Sequence, residues 1–265
     1  MFKYEFIKNA LYAILIITPL FGIIGTIIVN NKMAFFSDAL GHSALTGIAI
    51  GALLGVTNPT LSMAIFGIIF ALLLNKIKDL KVTSKDTIIS VFSSTALALG
   101  LVILSKNGNF SKFSNYLIGD ILSIVPLEII TLLVIAVLVI VFWILFFNKM
   151  FAISLNSSLA KSKNISTKLV ENLFVVLVAL IVMFSIRWVG ILIINSLLIL
   201  PAAASRNIAR NIKEYHIYSI LFALFSGIAG LVVSYMEGIA TGPTIVLIAS
   251  AIFFVTYFIR RKIGD

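Results

Sequence analysis

Leu132-Leu133-Val134-Ile135-Ala136-Val137-Leu138-Val139-Ile140-Val141-Phe142-Trp143-Ile144-Leu145-Phe146-Phe147 is an unbroken apolar run, and the whole stretch 125–147 carries one charge, Glu128. A helix needs about 20 apolar residues to cross the hydrocarbon core of a bilayer. This stretch therefore reads as a membrane span. Comparable stretches recur at 10–29, 35–55, 60–75, 87–105, 171–187, 189–204, 216–235 and 243–259. Together they predict nine spans, with eight as the rival count. The segment 171–204 is too long for one span, and Arg187-Trp188 in its middle marks a turn at an interface. The expectation is an all-α polytopic membrane protein, a bundle of eight or nine transmembrane helices forming a single domain over 1–265.

Composition points the same way. Hydrophobic residues make up 61% and charged residues 11% of the chain, against roughly 45–50% apolar content in soluble domains. Mean hydropathy is +1.16. The net charge of +10 would suit nucleic acid in a soluble protein, but here the basic residues sit between spans and report topology. Cysteine is absent, which excludes disulfides, thiolate metal ligands and thiol catalysis. The charged start runs into a long apolar stretch without a small-residue cleavage site, and reads as a retained first helix rather than a signal peptide.

Basic residues set the orientation. Lys32, Lys76, Lys78, Lys81, Lys85, Lys149, Lys161, Lys163, Lys168, Arg206, Arg210, Lys213, Arg260, Arg261 and Lys262 fall on one side, leaving Lys3, Lys8, Lys106, Lys112 and Arg187 on the other. The first side is cytoplasmic by the positive-inside rule, and nine spans put the N-terminus outside. Segments 76–86 and 148–170 read as solvated connections.

Within the second span, Asp38 and His42 stand four residues apart in Ser37-Asp38-Ala39-Leu40-Gly41-His42. That spacing places both side chains on one helical face. A carboxylate and an imidazole are ligands for divalent transition metals, and ionisable groups at membrane depth mark ion paths. Thr46 continues the four-residue row and is expected to line the same path. Two structural readings compete: Asp38 as the N-cap of the helix, and His42 as a hydrogen-bonded interhelical residue. Gly47, Gly51 and Gly55 form a small-xxx-small row for close helix packing. Asp120 and Glu128, flanking Pro126, read as solvated loop residues, and His216, after Lys213-Glu214-Tyr215, as a surface residue.

Further on, an apolar span runs into Leu200-Pro201-Ala202-Ala203-Ala204 and then into Arg206, Asn207 and Arg210. This reads either as a short polar docking helix for a soluble partner or as positive-inside anchoring.

Taken together, the stretch from Ser37 to Gly47, Gly119-Asp120-Ile121-Leu122-Ser123, Val189-Gly190-Ile191-Leu192 continuing to Ala204, and Thr241-Gly242-Pro243-Thr244-Ile245-Val246-Leu247 resemble the permease family of zinc and manganese ABC importers. The resemblance runs through most of the chain in order. It implies a homodimeric pore in the prokaryotic plasma membrane, cytoplasmic ABC ATPase subunits and an extracytoplasmic metal-binding protein. It also implies that Asp38 and His42 are the metal-pathway pair and that about 205–216 couples to the ATPase. Relatives often carry an aspartate where this chain has Gly238, so neighbouring Glu237 becomes a third candidate metal contact.

The chain has no Gly-x-x-x-x-Gly-Lys-Ser/Thr, so ATP hydrolysis is expected in a separate chain and the protein is not itself an enzyme. No permanently bound cofactor is expected, only Zn2+ or Mn2+ held in transit, zinc being favoured. Ligation requires a neutral His42 and an ionised Asp38, so transport is expected to fall at acidic pH. The rival mechanism is a secondary transporter with Asp38 and His42 as a relay.

Overall fold

The computed structural model describes residues 4–77, 84–106, 108 and 110–264. Lys3, Lys78 and Lys81 lie outside the described residues. Among the described residues, nine helices of membrane-spanning length follow in order: α1 (Glu5–Asn30), α2 (Ala34–Leu53), α3 (Pro59–Ile77), α4 (Lys85–Lys106), α7 (Pro126–Leu155), α9 (Thr167–Val189), α10 (Ile191–Ile208), α11 (Ile212–Glu237) and α12 (Thr241–Gly264). Three short helices, α5 (Phe110–Phe113), α6 (Asn115–Ile118) and α8 (Ser157–Ser162), and a 3-10 turn (Ile121–Ser123) lie between them. Eight of the long helices are apolar enough to cross a membrane, and α2 is the exception. Its Asp38, His42, Ser37 and Ser43 lower its hydropathy, yet it is the helix most enclosed by others.

That enclosure explains how polar residues are tolerated. α2 packs against α3, α4, α9 and α10, and most of its residues are buried. Small residues bring the backbones together. A Cβ on Gly47 would stand 2.9 Å from Met63 Cα of α3, and one on Gly100 of α4 would stand 2.7 Å from Thr46 N. Gly51 faces the Ser62 side chain in the same way. Gly55 departs from the predicted row: α2 ends at Leu53, and Gly55 adopts φ +72 with open space around it. It is a turn glycine, placed there because only glycine adopts that conformation without strain.

α1 lies along α11, where a Cβ on Gly22 would meet Ile220 Cα at 2.8 Å, and it also contacts α7 and α10. Opposite this packed core, α7 and α12 carry rows of exposed aliphatic and aromatic residues, among them Leu127, Ile130, Val134, Val137, Val141, Phe254 and Phe258. Such faces suit lipid.

The structure moves several predicted boundaries. α7 continues through Leu155, and the Asn156 side chain then caps α8 by accepting from the Ser158 and Leu159 amides. The predicted connection 148–170 is therefore helical over most of its length, with Lys149 exposed on the continuing α7, Lys161 on α8 and Lys168 on the first turn of α9. The turn predicted at Arg187-Trp188 comes at Gly190, with φ +94, between α9 and α10. Pro201 does not divide α10, which continues to Ile208, so Arg206 and Asn207 end a spanning helix rather than forming a separate docking helix.

Candidate metal site

The N-cap of α2 is Met33, and Asp38 is the fifth residue of the helix. It is therefore not a cap. At 1.5 Å per residue Asp38 lies about 6 Å and His42 about 12 Å along a helix of about 30 Å. The His42 Nε2 and Asp38 Oδ2 atoms are 3.6 Å apart. The Asp38 side chain is 44% and the His42 side chain 28% exposed. The pair thus opens from an otherwise enclosed helix, together with exposed Phe35.

Asp38 has a further partner from another helix. Asn195, in the second turn of α10, donates from Nδ2 to Asp38 Oδ1 at 3.3 Å, and its Oδ1 accepts from the Ser37 hydroxyl. One Asp38 oxygen is therefore tied to α10 while the other faces His42. Asn195 was not singled out in the sequence, although a carboxamide inside Ile191–Leu200 is the kind of residue that must find a hydrogen-bond partner at membrane depth.

Thr46 does not join this opening. It is buried, and its hydroxyl donates to the Ala96 carbonyl of α4. The reason is angular: each four-residue step overshoots a turn by about 40° at 3.6 residues per turn, so Thr46 lies about 80° around from Asp38. Glu237 is exposed at the C-terminal end of α11. Among the described residues no group of three or more His, Cys, Asp or Glu side chains gathers as a metal site. Glu237 therefore does not complete a three-ligand cluster with Asp38 and His42 in a single chain.

Three other polar residues are tied more firmly than the sequence implied. Glu128, far from solvated, pairs with Arg187 and accepts from Trp188 Nε1 at 3.2 Å and from the Val125 amide at 3.1 Å. It joins the start of α7 to the end of α9. Nearby Asp120 caps the 3-10 turn through Leu122 N at 3.0 Å, and its own amide donates to the Arg187 carbonyl. Tyr116 of α6 lies beside this pair; burial raises its hydroxyl above the ordinary tyrosine value, with Arg187 opposing. His216 is buried, not on the surface, and meets Thr26 of α1.

A helical bundle with a carboxylate–imidazole pair on its most enclosed helix is compatible with ion transport, and residues 3–260 match the ABC 3 transport family. The chain belongs to that family, the permeases of zinc and manganese ABC importers. The permease is 30% identical to the high-affinity zinc uptake system membrane protein ZnuB of Haemophilus influenzae, over 98% of this chain and 100% of that protein. It is 27% identical to the manganese import system permease protein ScaB of Streptococcus gordonii, over 98% of this chain and 93% of that one. Among solved structures it is similar to PsaBC from Streptococcus pneumoniae in complex with Fab, with TM-score 0.87, 26% identity and coverage of 99% and 96%. The permease is a multi-pass protein of the prokaryotic plasma membrane and a transport subunit. Permeases of its family work with an ATPase and a substrate-binding protein.

At the junction of α10 and α11 the permease presents exposed Arg206 and Arg210. This corner is stiff. The Asn211 side chain accepts from Glu214 N at 2.9 Å and donates to Glu214 Oε1 at 2.7 Å, while Arg210 N donates to Glu214 Oε2 at 2.9 Å. Asn207 reaches across to Thr256 of α12 at 3.2 Å.

Proposed function

We propose that this permease carries a divalent transition metal into the cytoplasm by alternating access, zinc first and manganese next, with Asp38 and His42 as its transient ligands. The observation that carries the reading is the convergence of Asp38 Oδ2 and His42 Nε2 at 3.6 Å on a half-open face of an otherwise enclosed helix. With bonds near 2.1 Å, two ligands of a tetrahedral ion stand about 3.4 Å apart and two adjacent ligands of an octahedral ion about 3.0 Å. A small rotation of either side chain reaches both spacings, so the preference for zinc rests on its higher intrinsic affinity for such ligands.

An exposed carboxylate in a spanning segment is costly against lipid. A second copy placed against this face by a two-fold axis would supply a second Asp38–His42 pair and exclude lipid from both. We therefore place the pathway between two copies of the chain. Glu237, on the extracytoplasmic side of this arrangement, would meet the ion before the pair does. Binding by few ligands suits a path, since an ion must also leave.

The segment 205–216 is the proposed seat of the cytoplasmic ATPase, with Arg206, Asn207 and Arg210 as its contacts. Its exposed arginines, on a corner held by the Asn211–Glu214 bonds, can be pushed without being deformed. An extracytoplasmic binding protein would deliver the ion, and ATP-driven movement of that corner would reorient the helices around the pair.

The test is zinc and manganese uptake into proteoliposomes carrying the permease with its ATPase and binding protein, comparing wild type with Asp38→Asn and His42→Ala. Uptake that needs ATP and collapses in both variants, with the complex still assembled, is expected. ATP-dependent uptake surviving both substitutions would return the pair to a structural role, and uptake without ATP would favour a secondary transporter.

A further inference from the structure

The Asn195 amide has only one orientation that suits both of its neighbours. Asp38 is acceptor-only when ionised, so the amide NH2 must face it, which turns Oδ1 to the Ser37 hydroxyl. The contacts agree: Nδ2 meets Asp38 Oδ1 at 3.3 Å, and Ser37 Oγ donates to Asn195 Oδ1. Ser37 is fully buried, and its one hydroxyl proton is shared between Asn195 Oδ1 and the Ala34 carbonyl, 2.9 Å away in the first turn of α2. The amide is thus clamped between two consecutive residues of α2. A free carboxylate turns readily about its last torsion, whereas one with Oδ1 held by Asn195 keeps Oδ2 toward His42 Nε2.

The position of Asn195 in the fold adds a second consequence. α10 runs without a break from Ile191 to Ile208, so the helix that touches Asp38 also carries Arg206 and Asn207 about 16 Å away along its axis. Its second turn lies close against α2: a Cβ on Gly41 would meet Ile194 Cγ2 at 3.4 Å and the Ile191 carbonyl at 3.5 Å. A displacement of α10 along its axis therefore acts on the Asn195–Asp38 bond before it acts on anything else in the metal site.

We propose that Asn195 is the positioning residue of the metal site, holding Asp38 in its ligating orientation and making that orientation depend on where α10 stands. This rests on the reading of Asp38 and His42 as metal ligands. A partner that orients a metal ligand is worth about 10- to 100-fold in metal affinity, so loss of Asn195 is read first in the zinc concentration needed for half-saturation.

The experiment measures equilibrium zinc binding to the purified permease complex and zinc-dependent uptake in proteoliposomes, for Asn195→Leu, Asp38→Asn, the double variant and Ser37→Ala. Asn195→Leu keeps the side-chain size and removes the donor. It is expected to raise the half-saturating zinc concentration about tenfold and to have no further effect in the Asp38→Asn background. Ser37→Ala, which frees the far side of the amide and is a mild change, is expected to shift affinity in the same direction by less. A purely structural Asn195 would give effects that add in full to those of Asp38→Asn, and that result would overturn the proposal, as would unchanged zinc affinity in Asn195→Leu or in Ser37→Ala. Unchanged binding and uptake in Asp38→Asn alone would instead remove the ligand reading, and this proposal with it.

Discussion

His216 Nε2 lies 3.0 Å from Thr26 Oγ1, joining the first turns of α11 to the last turns of α1 across 190 residues of sequence. The other ring nitrogen, Nδ1, faces the Ile212 carbonyl at 2.9 Å. A carbonyl only accepts, so Nδ1 carries a proton; in the neutral ring Nε2 then accepts, and Thr26 shares its one hydroxyl proton between Nε2 and the Ile23 carbonyl at 2.6 Å. Phe147 meets the imidazole edge-on at 4.9 Å. His216→Leu removes both bonds and leaves the Thr26 hydroxyl with the Ile23 carbonyl alone, at a cost of about 1 kcal/mol. Thermal melts of the purified permease are expected to shift downward for His216→Leu and by less for Thr26→Val, which removes a single partner. Equal melting of His216→Leu and wild type would mean that the joint contributes nothing.

Glu128 is the second joint, and its partners rank its variants. Its carboxylate serves the Val125 amide, Trp188 Nε1 and Arg187. Arg187 has Glu128 as its ion-pair partner and is 44% exposed, so solvent weakens its share. Glu128→Ala is expected to destabilise more than Arg187→Ala, by about 1–2 kcal/mol, since it strands three donors rather than one acceptor. Denaturant or thermal unfolding of the two variants side by side checks the order. A larger loss in Arg187→Ala would reverse the assignment of Glu128 as the hub.

These two joints also show where the sequence was legible. Spans were readable because apolar length is a one-dimensional property, and the meeting of Asp38 with His42 was readable because a spacing of four on a helix fixes a shared face. Burial on a given side of a helix is not one-dimensional. His216 sits in a charged string, Lys213-Glu214-Tyr215, yet its own direction points at α1. Thr46 lies in register with Asp38 by counting fours, and the accumulated 40° per step turns it into α4. Glu128 looked solvated because its partners, Arg187 and Trp188, are some 60 residues away. Asn195 depended on the same kind of long-range contact, and only its isolation in an apolar run hinted at a partner.

Gly100 gives a test of how closely α4 must approach α2. A Cβ there would stand 2.7 Å from Thr46 N and 3.0 Å from Thr46 Cα, both backbone atoms of α2. Backbone cannot swing aside as a side chain can. Gly100→Ala is therefore expected to push α4 from α2, weaken the Thr46–Ala96 bond and cost about 1–3 kcal/mol. Leu99→Ala, next door on an exposed face, is expected to change stability little. Yield of monodisperse permease and its melting temperature compare the two, and an innocuous Gly100→Ala would show that the contact between these helices relaxes freely.

Proton competition at Nε2 separates a ligating His42 from a structural one. A metal takes the lone pair that a proton would take, so the two exclude each other at one nitrogen. Lowering pH from about 7.5 to about 5.5 raises the proton concentration about 100-fold and is expected to raise the zinc concentration needed for half-maximal uptake. The maximal rate at saturating zinc should change less, because excess metal displaces the proton. Asp38 Oδ2, 3.6 Å away, sharpens the effect, since a protonated ring turns to the carboxylate and occupies the second ligand as well. In His42→Gln, which keeps a polar side chain without a titrating nitrogen, the residual uptake should lose this dependence over the same range. Initial rates at several zinc concentrations and two pH values, with the complex intact in each, distinguish the cases. If half-saturating zinc is the same at both pH values in the wild-type permease, His42 does not bind the ion.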